Sequence, residues 1–192
     1  MRTVSSTKFP RIEEKFPLLY LIRTVNREDL PSLEWNGEYR HFRILYQDIF
    51  QSSLRGEAIM WIAEINGVGT VGQLFVQLVS ARSELADGAS RAYIYAFRVQ
   101  EPYRGQGIGS RMLQVAEASL AQKGFCWVNL NVGQDNIAAR RLYTRQGYTV
   151  VAAEPGKWSY LDEYGVRHEV NEPAWRMEKR LGSPPNISVV LD

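Results

Sequence analysis

One stretch constrains this chain more than any other: Phe97-Arg98-Val99-Gln100-Glu101-Pro102-Tyr103-Arg104-Gly105-Gln106-Gly107-Ile108-Gly109-Ser110-Arg111-Met112. The β-branched and aromatic run from Arg91 to Val99 predicts a buried strand. A short turn containing Pro102 follows, then a glycine-rich elbow. After it comes a helix with apolar positions at Ile108, Met112, Leu113, Val115, Ala116 and Leu120. Strand, glycine loop and helix N-terminus together form a phosphate site. The first N–H groups of a helix lack intrahelical partners, and the macrodipole adds partial positive charge there. Gly105, Gly107 and Gly109 let the backbone turn sharply and let an anion approach with no Cβ in the way.

The spacing narrows what that loop can hold. No Gly-Lys-Ser/Thr ending is present, which excludes a P-loop, and the glycines miss the G-x-G-x-x-G order by one position. Arg104-x-x-Gly107-x-Gly109 instead resembles the acetyl-CoA pyrophosphate loop of the GNAT superfamily of N-acetyltransferases. Downstream, Asn136-Ile137-Ala138-Ala139-Arg140-Arg141-Leu142-Tyr143-Thr144-Arg145-Gln146-Gly147-Tyr148 is similar to that family's N-x-A-A-x-x-L-Y-x-x-x-G-F/Y helix. The two matches stand in the right order, and the resemblance runs from about Leu19 to Leu181.

Composition bounds the remaining possibilities. The 192 residues suffice for one full core, and 45% hydrophobic with 23% charged is ordinary for a globular chain. A net charge of +2 leaves no nucleic-acid footprint. Met1 to Phe16 has charges throughout and no apolar core of a signal peptide, and no apolar run approaches membrane-spanning length. The single Cys126 excludes an internal disulfide and fits a reducing cytoplasm; in a strand-like run it is expected to be a small buried thiol.

Read in order, residues 1–17 form a polar lead-in and Leu18 to Val25 a first strand. Asn26-Arg27-Glu28-Asp29 offers a capping-box start for a helix limited by Pro31. Tyr39 to Leu54 is an amphipathic helix with a core-facing stripe of Phe42, Leu45, Tyr46, Ile49 and Phe50. Asn66-Gly67 joins two apolar runs as a hairpin. Ser80 to Ser90 is an ordinary exposed loop. Gly124 ends the helix after the elbow, Cys126 to Val132 is a buried strand, and Asp135 or Asn136 opens a helix that stops at Gly147. Tyr148–Ala153 and the alternating Ala174–Leu181 are strands. The segment Glu154 to Pro173 is too long for a plain turn, and its Trp158, Tyr160, Tyr164 and Glu172 suit a cationic amine. Gly182 onward, with Pro184-Pro185, is a tail. The expected organisation is a lead-in (1–17), one domain (18–181) and a tail (182–192).

The resemblance implies an α/β (α+β) GNAT fold: a mixed, mostly antiparallel central sheet of about seven strands, splayed at its central strands and flanked by about four helices. It implies acetyl transfer from acetyl-CoA, with no metal, to a small-molecule or peptide amine. With the charge and apolar-run lengths above, no nucleic-acid or membrane partner is expected, and a homodimer is allowed. Phe97, Arg98 and Val99 would grip the pantetheine arm, with the Val99 N–H polarising the thioester carbonyl. Arg104, Gly105, Gln106, Gly107, Ile108 and Gly109 would hold the pyrophosphate. Tyr143 takes the place of the general acid, the alternative being a core aromatic, and Asn136 either contacts pantetheine or caps its helix. Arg140, Arg141 and Arg145 lie within reach of CoA phosphates or on a solvated face.

A base is not assigned. Ribosomal-protein N-terminal acetyltransferases of the superfamily carry a Glu on the preceding strand, where this chain has Asn131, and an amide cannot take a proton at neutral pH. Glu34, Glu38, His41, His168, Glu172 and a water chain stay open. Two other classes compete with the enzyme. One is a silent acetyl-CoA sensor of the same fold. The other is a dinucleotide-binding oxidoreductase, which calls for an acidic ribose ligand where the strand ends in Asn131 and Val132.

Overall fold

The computed structural model describes residues 18–182, so the expected lead-in and the tail beyond Gly182 lie outside the described residues. Its strands are β1 (Leu21–Thr24), β2 (Ala58–Ile65), β3 (Gly69–Gln77), β4 (Arg91–Val99), β5 (Trp127–Gly133), β6 (Thr149–Glu154), β7 (Lys157–Leu161), β8 (Arg167–Asn171) and β9 (Ala174–Arg180). Seven of them form one sheet in the order β1-β2-β3-β4-β5-β9-β6, and β7 pairs with β8 as a separate hairpin. Every neighbouring pair in the large sheet is antiparallel except β4 and β5. Parallel neighbours need a crossover, and helix α1 (Arg43–Leu54) having gone to one face, α2 (Ile108–Gln122) supplies it on the other. A shorter helix, α3 (Ile137–Arg145), links β5 to β6.

The strand alternation gives each face of the sheet its own core. On one side Leu74, Val76, Ala92, Ile94, Val128 and Leu130 meet the α2 stripe of Ile108, Met112, Leu113, Ala116 and Leu120. That stripe is the expected one, with Val115 half-buried at its margin. On the other side Met60, Ile62 and Phe75 meet Phe42, Tyr46, Ile49 and Phe50 of α1 and its lead-in. Tyr148, at the end of α3, donates to the buried Glu117 carboxylate at 2.9 Å, and Lys179 of β9 binds the other oxygen at 2.6 Å. This buried group is satisfied from both sides and ties α2 to the sheet.

Several local expectations change. The segment opened by Asn26 does use the Asp29 carboxylate to accept the Asn26 N–H at 2.7 Å, but Pro31 keeps residues Arg27–Gly37 in 3-10 geometry. Trp35 and Asn36 then adopt φ of 45° and 57°, followed by Gly37 at 100°, and the chain reverses into a 3-10 turn, Arg40–Phe42, before α1. The 80–90 connection is not plainly exposed. Leu85 and Ala86 are buried, and the Leu85 carbonyl accepts from the Asn129 amide at 2.7 Å. Asp87 gathers the N–H groups of Ala89, Ser90 and Arg91 into one carboxylate and so fixes the start of β4. Cys126 is exposed rather than buried, because it lies just before β5 begins.

Candidate active site

β4 and β5 run side by side only from Arg91/Trp127 to Ile94/Leu130 and then part. On its other edge β4 stays with β3, through the pairs Gly72·Val99 and Gln73·Arg98. Gln100 donates its N–H to the Val71 carbonyl at 2.8 Å. In antiparallel alternation that makes Gly72·Val99 a non-hydrogen-bonded pair, so the Val99 main chain turns toward the β5 side, where no strand runs. Phe97 shares that outlook, whereas Arg98 between them turns its main chain to β3. The Val99 carbonyl is taken by Arg104 Nε at 2.9 Å, which leaves the Val99 N–H facing the gap.

A bulge sets which side chains see which face. From Gln73·Arg98 to Phe75·Tyr95, β4 spends one residue more than β3, and Ala96 at φ 47° absorbs it. Before the bulge Tyr93 and Tyr95 lie on the α1 face. After it Phe97 and Val99 pack on the α2 side, and Arg98 points to the α1 face.

The elbow closes against the open strand edge. Gly105 and Gly107 hold φ of 73° and 86°, and Gly107 is the residue before the first turn of α2. A Cβ built on either meets nothing within 4 Å, so both glycines border open space and serve conformation and access. Gly109 serves packing: its Cβ would lie 3.2 Å from Phe97, 3.7 Å from Val99 and 3.9 Å from Leu142. These contacts bring elbow, strand and α3 to one point. Gln106 is bound to the Pro102 carbonyl at 3.0 Å, and Ile108 is buried beneath the turn. The unpaired first-turn amides and the uncluttered glycines are what a pyrophosphate requires, so the donor set fits the acetyl-CoA loop expected for it.

Tyr143 lies under the gap, with its ring 6.3 Å from Phe97 and 5.9 Å from Tyr148. Burial pushes its phenol well above the ordinary value, so it holds its proton across the neutral range. Asn136 caps α3, accepting the Ala139 N–H at 3.0 Å, and thereby fixes the helix that carries Tyr143. Arg140, Arg141 and Arg145 are all exposed.

The opposite face holds Tyr93 and Tyr95, which sequence reasoning did not single out as site residues, and the side chain of Arg98, a residue expected at the site only through its main chain. Tyr93 and Tyr95 stack at 5.9 Å, and burial raises the Tyr93 phenol to about 12. Arg98 lies over Tyr39 and Phe42 at 4.2 and 5.3 Å and donates to the Tyr46 hydroxyl at 3.2 Å. The β7–β8 hairpin covers this face, with Tyr160 4.8 Å and Trp158 6.1 Å from Phe42. The signal available in sequence was the aromatic pair Tyr93 and Tyr95 at period-two spacing. A cavity of about 500 Å³ opens alongside, between the 3-10 run and the β2–β3 turn, lined in part by Trp35, Arg40, Thr70 and Gln100.

The base candidates scatter. Glu34 is held by Arg43 at 2.5 Å, which keeps its carboxyl below the usual range. His168 is paired with Asp162 at 2.7 Å and stacked on Tyr160 at 5.2 Å. His41 lies half-buried between Phe42 and Tyr160, while Glu38 and Glu172 are exposed. Among the described residues no group of three His, Cys, Asp or Glu is placed to hold a metal.

The acetyltransferase (GNAT) family model matches residues 22–148. The chain is 29% identical over 89 residues to an uncharacterized N-acetyltransferase, YycN, of Bacillus subtilis (strain 168); the match covers 46% of this chain and 54% of that protein, about half its length. Among solved structures, Ard1 from Thermoplasma volcanium aligns with a TM-score of 0.65 at 19% identity over 85% of this chain and 99% of that one. The ribosomal-protein-S18-alanine N-acetyltransferase of Escherichia coli gives 0.63 at 19% over 90% and 100%. Arabidopsis thaliana NAA60 in complex with acetyl-CoA gives 0.65 at 21% over 85% and 99%. At these identities the structural likeness is one of fold.

Proposed function

Because the chain belongs to the acetyltransferase (GNAT) family, we propose that it is an N-acetyltransferase moving the acetyl group of acetyl-CoA to a primary amine by direct attack in a ternary complex. The observation that carries this reading is the parted β4–β5 ladder. It leaves the Val99 N–H unpaired at the mouth of a glycine elbow and above a buried tyrosine. An unpaired amide inside a sheet is unfavourable unless a ligand satisfies it, and a thioester carbonyl is such a ligand.

Each group then has a task. The amides from Gly105 to Gly109 hold the pyrophosphate, and the open edge at Phe97 and Val99 aligns the pantetheine. The Val99 N–H draws charge onto the carbonyl oxygen as the amine nitrogen attacks the carbonyl carbon and the C–S bond breaks. Tyr143 gives its proton to the departing sulfur. A phenol at about 10 against a thiol at about 8.5 makes that transfer uphill, and burial of Tyr143 raises it further, so the step depends on the sulfur being held against the hydroxyl. The nitrogen loses its own proton to water, since no carboxylate or imidazole of the chain is assigned to take it. The acceptor enters from the aromatic face under the β7–β8 hairpin, and the free thiol of Cys126 fits a reducing cytoplasm.

The test is release of free thiol from acetyl-CoA over a panel of amines and peptides. Amine-dependent release supports the enzyme. Tight acetyl-CoA binding with no release over the whole panel would leave the sensor reading standing instead.

A further inference from the structure

Among the described residues, every half-buried guanidinium group but one is neutralised: Arg23 binds Asp29 and Glu64, Arg91 binds Glu178, and Arg176 binds Glu154. Arg98 is the exception on the acceptor face. It is half-buried, and among the described residues no carboxylate lies in ion-pair range of it. Of its five N–H donors one finds a protein acceptor, the Tyr46 hydroxyl at 3.2 Å. The rings of Tyr39 and Phe42 lie against the guanidinium and hold it in place without consuming its donors. Glu34, on the adjoining 3-10 run, is already committed to Arg43 and Arg40.

A second observation comes from the strand beside it. Gln73, the register partner of Arg98, is fully buried, and its Oε1 has no hydrogen-bond partner while its Nε2 donates to the Ala96 carbonyl. Arg98 thus stands, with donors to spare, across the β3–β4 ladder from a buried polar side chain and one strand position from the Val99 amide. Those spare donors are complementary to an anionic ligand.

We propose that Arg98 selects the acceptor by binding a carboxylate carried close to the reacting amine, as in an α-amino acid or a peptide with an acidic residue next to its N-terminus. This rests on the acetyl-transfer reading above. A planar guanidinium binds a carboxylate through two parallel hydrogen bonds, and the aromatic walls exclude water that would weaken them. A neutral acceptor of the same shape forfeits those bonds and leaves the cation uncompensated.

The experiment uses the full chain with matched acceptors: amino acids against their amides, and peptides with Glu against Gln as second residue. For the unmodified protein the carboxylate member should exceed its neutral match by about tenfold or more in kcat/KM, in whichever arm is the true source. Arg98→Met should bring that ratio close to one, and Arg98→Lys should recover part of it. Acetyl-CoA affinity, measured alongside, reports whether β4 is intact. Calorimetry supplies a readout without turnover: N-acetylglycine should bind the CoA-saturated protein more tightly than N-acetylglycinamide, and Arg98→Met should abolish the difference. Arg98-dependent binding with no turnover of any amine would remove the acetyl-transfer reading and keep this one. A ratio near one in both arms, or a preference that survives in Arg98→Met, overturns it.

Discussion

Gly107→Ala separates backbone conformation from ligand access. Gly107 sits at φ 86° before α2, and Gly124 sits at φ 89° just past the far end of the same helix. A Cβ on either meets nothing within 4 Å. Both alanine variants therefore carry the same left-handed strain, about 1–2 kcal/mol, and no clash. In a chain of this size each should melt about 2–8 °C lower than the unmodified protein. Only the Gly107 methyl occupies the space the pyrophosphate needs. Displacing an anion from two amides forfeits about 3 kcal/mol or more, which is roughly a hundredfold in affinity. Calorimetric titration with acetyl-CoA, paired with thermal unfolding, reads both quantities. The reasoning fails if Gly107→Ala binds acetyl-CoA as the unmodified protein does, or if Gly124→Ala loses affinity equally.

Tyr143→Phe should lower kcat by roughly a hundredfold while acetyl-CoA affinity holds; an effect confined to KM would mark Tyr143 as a packing residue. The pH profile of kcat/KM should rise with the pKa of the amine offered, near 8 for an α-amine and about 10.4 for a lysine-type amine, with no fall from Tyr143 inside that range because burial keeps it protonated. A midpoint fixed near neutrality for every amine would instead reveal an enzyme base. Gly156→Ala should unseat the β7–β8 hairpin, since at φ 65° its methyl would lie on the Glu172 carbonyl; amine use should change while acetyl-CoA binding is spared, and unchanged amine preference would move acceptor recognition elsewhere. Asp87 has its carboxyl held well below the usual range by Ser90 and three backbone N–H groups, so it adds stability above about pH 4 that is lost as pH falls through its folded value. The melting gap to Asp87→Ala should narrow in strong acid, and a gap indifferent to pH would refute this.

Structure is legible in the sequence where a side-chain pattern alone dictates it. The elbow, the α2 stripe, the Asn66-Gly67 turn and the start of α3 are all local, each carried by a few adjacent residues, while the choice for Asn136 between cap and ligand contact is not. The rest depends on partners distant in sequence. Nothing around Ala96 announces a bulge, because the extra residue exists only relative to β3. Leu85 and Ala86 read as surface because the Asn129 amide that holds the Leu85 carbonyl lies on another strand. The stretch from Glu154 to Pro173 reads as too long for a turn, but its pairing as a hairpin over Phe42 depends on where α1 lies. The sequence ties Arg98 to the site only through its main chain, because the bulge reverses the face that alternation predicts for its side chain.

That bulge makes β4 sensitive to the backbone conformation of a single residue. Many side chains could stand at residue 96 if they tolerated its backbone angles, and the outcome beyond it would be the same; removing the residue altogether would let Phe97 follow Tyr95 directly and keep both faces as they are. Flattening the bulge with residue 96 still in place is different in kind. Plain alternation from Tyr95 would carry Phe97 out onto the aromatic face and Arg98 into the α2 core. The donor pocket and the acceptor pocket would exchange linings in a single step, so a side chain here that refuses a positive φ rewrites what the strand offers to both substrates.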